Sequence, residues 1–292
     1  MEDLSRKVTI YKFSVISSYG FPYYHLVLKD LPKGIKLYLR FFDFSKEAID
    51  QEDNYDHANS FELHAGLVSA LFKFAHSMNK NIKLLEFDSS NEINMEKKES
   101  KYSGNVLITA QTERYLFHKS VFEKVNLIYK SIIIDKIPLS SSMEILPAEE
   151  QIIIDILTDA EARNRVKHHK SKINHVGNDF LIHLKNYGLN GICITSFDLS
   201  PIIILSKKYS VDDIHEILRT IRNIPEISPL NWIYRQATYD NEQLWVYIYK
   251  SDVGPSIDGL FEPYFYLLFC NPHSYLGENP GIIGSEFNKI LG

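Results

Sequence analysis

The sequence predicts an α+β protein in two halves, each a sheet flanked by helices. Three observations carry this expectation. Aromatic residues make up 13% of the 292 residues, and apolar runs of strand length rich in isoleucine, valine and aromatics recur along the chain. Between those runs, apolar residues return at helical spacing. The two halves also repeat one order: two strands, a helix, about three strands, then helix. Their openings are alike, since Ile16-Ser17-Ser18-Tyr19 before Pro22 parallels Ile194-Thr195-Ser196-Phe197 before Pro201.

In order along the chain, residues 8–18 alternate through Val8, Ile10, Phe13 and Val15 up to the turn signal Tyr19-Gly20-Phe21-Pro22, and 23–28 resume an apolar run. Pro32-Lys33-Gly34 marks a second turn before 35–44, so the first half opens on a three-stranded meander or two long strands. Residues 45–59 are acidic and polar and read as a loop. Ser60 then caps a helix to Met78 with Leu63, Leu67, Leu71 and Phe74 on one side. A second apolar set, Phe61, Ala65, Val68 and Phe72, lies on the other side. A stripe that wide needs two burial surfaces, and Phe72→Asp is expected to destabilise the chain or release a partner. His64 within this helix reads as a packing residue.

Residues 82–87 and 105–110 read as strands, and Phe117, Val121, Val125, Ile128 and Ile132 mark the next helix. Pro147, followed by Glu149 and Glu150, starts another. Residues 161–190 read as a helical linker, with basic and histidine-rich 161–178 solvated. Strands follow at 192–197 and 202–205. Ser210 caps a helix over 211–222 that carries Asp212 and Asp213 in its first turn, and His215 and Arg219 on it are assigned to a partner or interdomain interface. Strands at 232–237, 244–249 and 264–270 and a short closing helix from Gly281 complete the pattern.

Composition excludes several classes. Hydrophobic residues at 45% and charged residues at 24% are globular values, so disorder and a coiled coil fit poorly. Thirty-two basic against 37 acidic residues give a net charge of -5, which argues against a nucleic-acid partner. Cys193 and Cys270 sit in separate apolar runs and are expected as buried free thiols in a reducing compartment. No run approaches the roughly 20 apolar residues of a membrane span, and no leader pattern stands at the start. A cytoplasmic protein is expected.

Val15-Ile16-Ser17-Ser18-Tyr19-Gly20-Phe21-Pro22 and the helix from Glu62-Leu63-His64-Ala65-Gly66-Leu67 through Phe74-Ala75 resemble the longin and roadblock superfamily. The resemblance implies two longin-like domains, each a mainly antiparallel five-stranded sheet flanked by helices. They would span 1–160, with its long first helix, and 191–292, which is shorter, joined by the linker. It further implies a protein-binding scaffold that regulates a small Ras-like GTPase in membrane trafficking, in some relatives as part of an exchange complex. The partner would be a GTPase or another longin or roadblock protein, with no cofactor and no catalytic group of this chain's own. The alternative is a small-molecule sensor or enzyme on a similar sheet, which needs a concave site with convergent polar groups.

The remaining motifs favour bland readings. His168, His169 and His175 lack metal-ligand spacing and read as linker surface. Asp155 and Asp159, four apart, would share a helical face, with Arg163 as the ion-pair partner. No GxxxxGK[ST], GxGxxG or GxSxG is present, so a GTPase must be another chain. Lys207-Lys208 and Arg163, Arg165, Lys167, Lys170 and Lys172 read as solubilising charge, with peripheral contact to lipid head groups as the alternative.

Overall fold

The alternating run after Lys7 forms β1 (Ile10–Ser17), and the Pro22 turn returns it as β2 (Pro22–Val27). In this computed structural model the described residues are 7–17, 21–31, 34–44, 73, 106–137 and 143–292. The expected helix at 60–78, with Phe61, His64, Ala65, Val68 and Phe72, and the strand at 82–87 lie outside them. β3 (Leu37–Asp43) and β4 (Val106–Glu113) complete an antiparallel sheet of order β2-β1-β4-β3. The meander expected at the start does not form. Among the described residues β3 pairs with β4 and not with β2, Phe42 opposite Ile108, which brings Phe42 onto the buried face with Phe13 and Val15. Phe13, Val15, Phe42, Ile108 and Ala110 make the buried face.

α1 (His118–Ile128) carries Val121, Val125 and Ile128 one turn apart and buries all three. Its Phe122 packs near Phe42 and Phe44 of the first sheet. It ends in a widened turn, Tyr129–Ile133, and a tight one, Ile134–Lys136. α2 (Pro147–Leu157) starts where the proline predicts, with Glu149 accepting from the Leu146 amide at 2.7 Å.

α3 (Ala160–His168) and α4 (Lys170–His183) occupy the stretch read as a linker. Both pack on the second sheet, burying Ala162, Val166 and Ile173 in its core. Their apolar stripe is narrow and partly made of small residues, which let the helices approach closely. At Gly177 an added Cβ would sit 2.2 Å from Leu205 Cδ1.

The second sheet has the order β6-β5-β11-β8-β7, all antiparallel, from β5 (Leu189–Thr195), β6 (Pro201–Ser206), β7 (Trp232–Tyr239), β8 (Glu242–Lys250) and β11 (Phe265–Cys270). A two-residue hairpin, β9 (Ser256–Ile257) with β10 (Leu260–Phe261), interrupts the run to β11. α5 (Val211–Thr220) connects β6 to β7, capped reciprocally by Ser210 and Asp213. α6 (Asn279–Leu291) closes the chain and packs Ile283, Phe287 and Leu291 into the core that α3 and α4 share. Strand alternation sends Cys193 and Cys270 to opposite faces, with Cys193 opposite Leu267 and Cys270 beyond Leu268. Both thiols are free and buried. Both sheets belong to one compact body formed by Met1–Phe44 and Val106–Gly292. No helix among the described residues is long and apolar enough to cross a membrane.

Candidate functional site

The most concentrated chemistry lies where the two sheets meet, in two buried ionic clusters. In the first, the fully buried Glu113 ends β4 and receives a forked contact from Arg219 in the last turn of α5. Nε lies 3.0 Å from Oε2, and Nη2 lies 2.6 Å from Oε1. The Tyr11 hydroxyl donates to the same Oε1 at 2.6 Å. The hydrogen bonds to Glu113 hold Arg219 above its ordinary range, outweighing burial, while burial and then Glu113 push Tyr11 up. One turn earlier on α5, His215 Nδ1 lies 2.7 Å from the Tyr115 hydroxyl, both side chains buried. His215 and Arg219 thus both face the end of the first sheet.

In the second cluster, Lys124 of α1 is fully buried between two carboxylates. Its Nζ lies 2.5 Å from Asp198 Oδ2 and 2.6 Å from Asp159 Oδ1. Asp198 sits in the β5–β6 turn, where its other oxygen accepts from the Ser196 hydroxyl at 2.7 Å and the Ser200 amide at 2.8 Å. Burial alone would raise the Asp198 carboxyl, but the Lys124 charge and these hydrogen bonds hold it below the usual range. For Lys124, burial works against the charge and the two carboxylates win, raising it. Thr9 hydrogen-bonds Ser200, and Ser120 donates to the Phe197 carbonyl at 2.9 Å. Arg163 donates to the Pro201 and Lys7 carbonyls. Thr9 and α1, through Ser120 and Lys124, therefore close on the turn at 196–200, and Arg163 holds its edge at Pro201.

Asp159 reaches this cluster because α2 ends before it. Its φ is 55°, in the left-handed region, and it stands at the start of α3. The shared helical face expected for Asp155 and Asp159, with Arg163 as ion-pair partner, is thereby corrected: the helix breaks between them, Asp155 stays exposed and accepts from Gln151, and Asp159 turns inward to Lys124. Glu262, before β11, completes a set of three carboxylates around the lysine. It is 1% exposed and neither of its oxygens has a hydrogen-bond partner. Burial, followed by the charge of Asp159, pushes its carboxyl up to about 8.

The Lys124–Asp198–Asp159 cluster is buried throughout, whereas Arg219 of the first cluster keeps about a quarter of its side chain exposed. Two hollows do open at the surface. One of about 390 Å³ is lined by Tyr11, Lys29, Asp30, Asp212, His215 and Arg219, where Arg219 is already engaged by Glu113. The other, of about 350 Å³, lies between Lys185–Gly188 and Asn271–Tyr275. Among the described residues no group of three His, Cys, Asp or Glu is placed to hold a metal ion. His168 and His175 stand exposed on α3 and α4, His175 3.6 Å from Asp179.

Of the interface residues picked from sequence, His215 and Arg219 come together on α5, and Phe61, Ala65, Val68 and Phe72 lie outside the described residues. Sequence reasoning missed Glu113, Lys124, Asp198 and Glu262. One signal was available: Lys124 interrupts the apolar series Val121, Val125, Ile128 at a position beside the buried stripe. No protein-family model matches the chain, and no curated protein matches it either.

Proposed function

We propose that this chain is a protein-binding scaffold of the tandem-longin kind, acting on a small Ras-like GTPase or on a second longin or roadblock protein. The observation that carries the reading is the build of the second half. A strand hairpin β5–β6, a crossover helix α5, three antiparallel strands and a closing helix follow in the order that the resemblance implies. The two buried clusters support a scaffold role, since they fix the sheets against each other at Glu113–Arg219 and Lys124–Asp198 and leave the outer surfaces for partners.

The surface we assign to the partner is β3, the outermost strand of the first sheet among the described residues, where Leu39 and Phe41 are 45% and 46% exposed. An edge strand with exposed apolar side chains is a natural place for a second protein to add on. The test is a pulldown of the full chain against small GTPases in GDP, GTP-analogue and nucleotide-free states, and against longin and roadblock proteins. Binding that Phe41→Asp abolishes is the expected result. Failure to capture any of these partners in any nucleotide state overturns the reading. Nucleotide-release kinetics then separate an exchange factor from an adaptor.

A further inference from the structure

The cluster around Lys124 holds more than an ion pair needs. One fully buried ammonium stands among three buried carboxylates, Asp159, Asp198 and Glu262, and the first two touch it. The Phe197 ring covers the nitrogen from another side, its centre 5.4 Å from Nζ. Asp159 Oδ2 and both Glu262 oxygens have no hydrogen-bond partner. An amine and a carboxyl group held together out of water are the two halves of an amide.

The two aspartates that touch the amine are equipped for different parts in that reaction. Asp198 presents Oδ2 to Nζ at 2.5 Å, while its Oδ1 accepts from the Ser196 hydroxyl at 2.7 Å and the Ser200 amide at 2.8 Å. Two donors fixed on one oxygen, with the amine at the other, suit the negative charge that builds up when the carboxyl carbon is attacked. Asp159 Oδ1 lies 2.6 Å from the same nitrogen and can take its proton. Burial, followed by the charge of Asp198, pushes the Asp159 carboxyl up to about 6, so it is a stronger base than an ordinary aspartate and is still ionised at neutral pH. Glu262, pushed up to about 8, keeps its proton there and adds no further negative charge.

We propose that the folded chain closes an amide bond between Lys124 Nζ and the Asp198 side chain, with Asp159 as the proton carrier. Asp159 takes a proton from the ammonium, and the freed electron pair attacks Asp198 Cγ. Oδ1 bears the charge of the adduct beneath the Ser196 and Ser200 donors. Two of the three ammonium protons pass through Asp159 to Oδ2, which leaves as water, and the third stays on the amide nitrogen. Oδ1 becomes the amide oxygen and keeps both donors. Asp159 ends as it began, and nothing else is consumed. One positive and one negative charge disappear from the interior, which relieves the cost of burying them. Contact between the groups replaces a bimolecular condensation that water would reverse, since effective molarities in such intramolecular reactions reach about 10⁵–10⁸ M. The ion pair is the chain before this bond closes. Closure ties α1 to the β5–β6 turn across 74 residues, one sheet covalently to the other.

The test is the intact mass of the purified full chain, freshly folded and then during incubation at neutral pH. The expected product is lighter than the sequence by one water. Tryptic digestion should then yield a branched peptide that joins 120–130 to 186–207, with cleavage after Lys124 blocked. Lys124→Arg should keep the full mass. Asp159→Asn, a residue that tolerates the left-handed backbone at this position, should slow closure by about a hundredfold or more. Ser196→Ala, which removes one donor from Oδ1, should slow it by about a hundredfold. A cooperative urea transition verifies the fold of each protein. Full sequence mass at every time point in the folded wild type overturns the proposal. So does a loss of water that persists in Lys124→Arg, which would be a dehydration elsewhere in the chain, and so does closure of the Asp159→Asn protein at the wild-type rate. None of these results bears on the GTPase reading, which has its own pulldown.

Discussion

Lys124 Nζ lies 2.5 Å from Asp198 Oδ2, and neither side chain has any solvent exposure. The pair joins α1, which packs on the first sheet, to the β5–β6 turn of the second. Removing one member strands a buried charge, so Lys124→Met is expected to cost roughly 3–5 kcal/mol by urea denaturation. Replacing both, with Asp198→Asn added, recovers part of that loss. A single-variant cost within experimental error would mean that the two sheets are not joined here.

Glu262 makes stability depend on pH. Its carboxyl is raised to about 8 from an ordinary 4.5. Between those values the folded chain keeps a proton that the unfolded chain releases, so this group's contribution is present at low pH and is lost as pH rises toward 8 and beyond. Asp159 shifts the same way, to about 6, and Asp198 the opposite way, so the informative quantity is a difference between proteins. Glu262→Gln should flatten part of the decline in urea midpoint between pH 6 and pH 9, and the variant should be the more stable protein at pH 9. Parallel pH profiles for the two proteins would show that Glu262 carries no extra proton.

Tyr11 and Arg219 share Glu113, which makes the first cluster suitable for a double-mutant cycle. Tyr11→Phe removes one hydrogen bond to a charged acceptor, about 1.5–3 kcal/mol. Arg219→Ala leaves a buried carboxylate without its cation and should cost more. Their effects should be non-additive because both act on one group. Strict additivity in chemical denaturation would separate the two contacts.

Cys193 and Cys270 should be silent toward thiol reagents in the folded protein. Burial pushes both thiols up to about 12, so little thiolate exists near neutral pH and no reagent can reach it. Both should react at once in guanidinium chloride. Rapid native labelling of either would show that its strand opens on the time scale of the assay.

Features set by neighbouring residues were legible in the sequence. Ser210 with Asp213 marked the start of α5, Pro147 that of α2, and unbroken apolar runs marked β5 and β11. Features set by distant residues were not. Nothing local says that Lys124 pairs with a residue 74 positions away, or that β3 crosses to β4. Residues 161–183 were misleading for a different reason: Ala162 and Gly177 bury little apolar area, so the stripe facing the second sheet hides among lysines and histidines. His215 and Arg219 were picked out on α5, yet their partners Tyr115 and Glu113 are 100 and 106 residues away.

The same long separations bear on how the chain acquires its shape during synthesis. Thr9 meets Ser200 across 191 residues, and α1 is made well before the turn that receives Lys124. Until that turn leaves the ribosome, the lysine has no Asp198 to answer it, and the first sheet waits with one side of its helix uncovered. Assembly must therefore finish late, as loop closure over such spans is slow. The interval between the first strand and the β5–β6 turn is when a chaperone, or premature aggregation, has its opportunity.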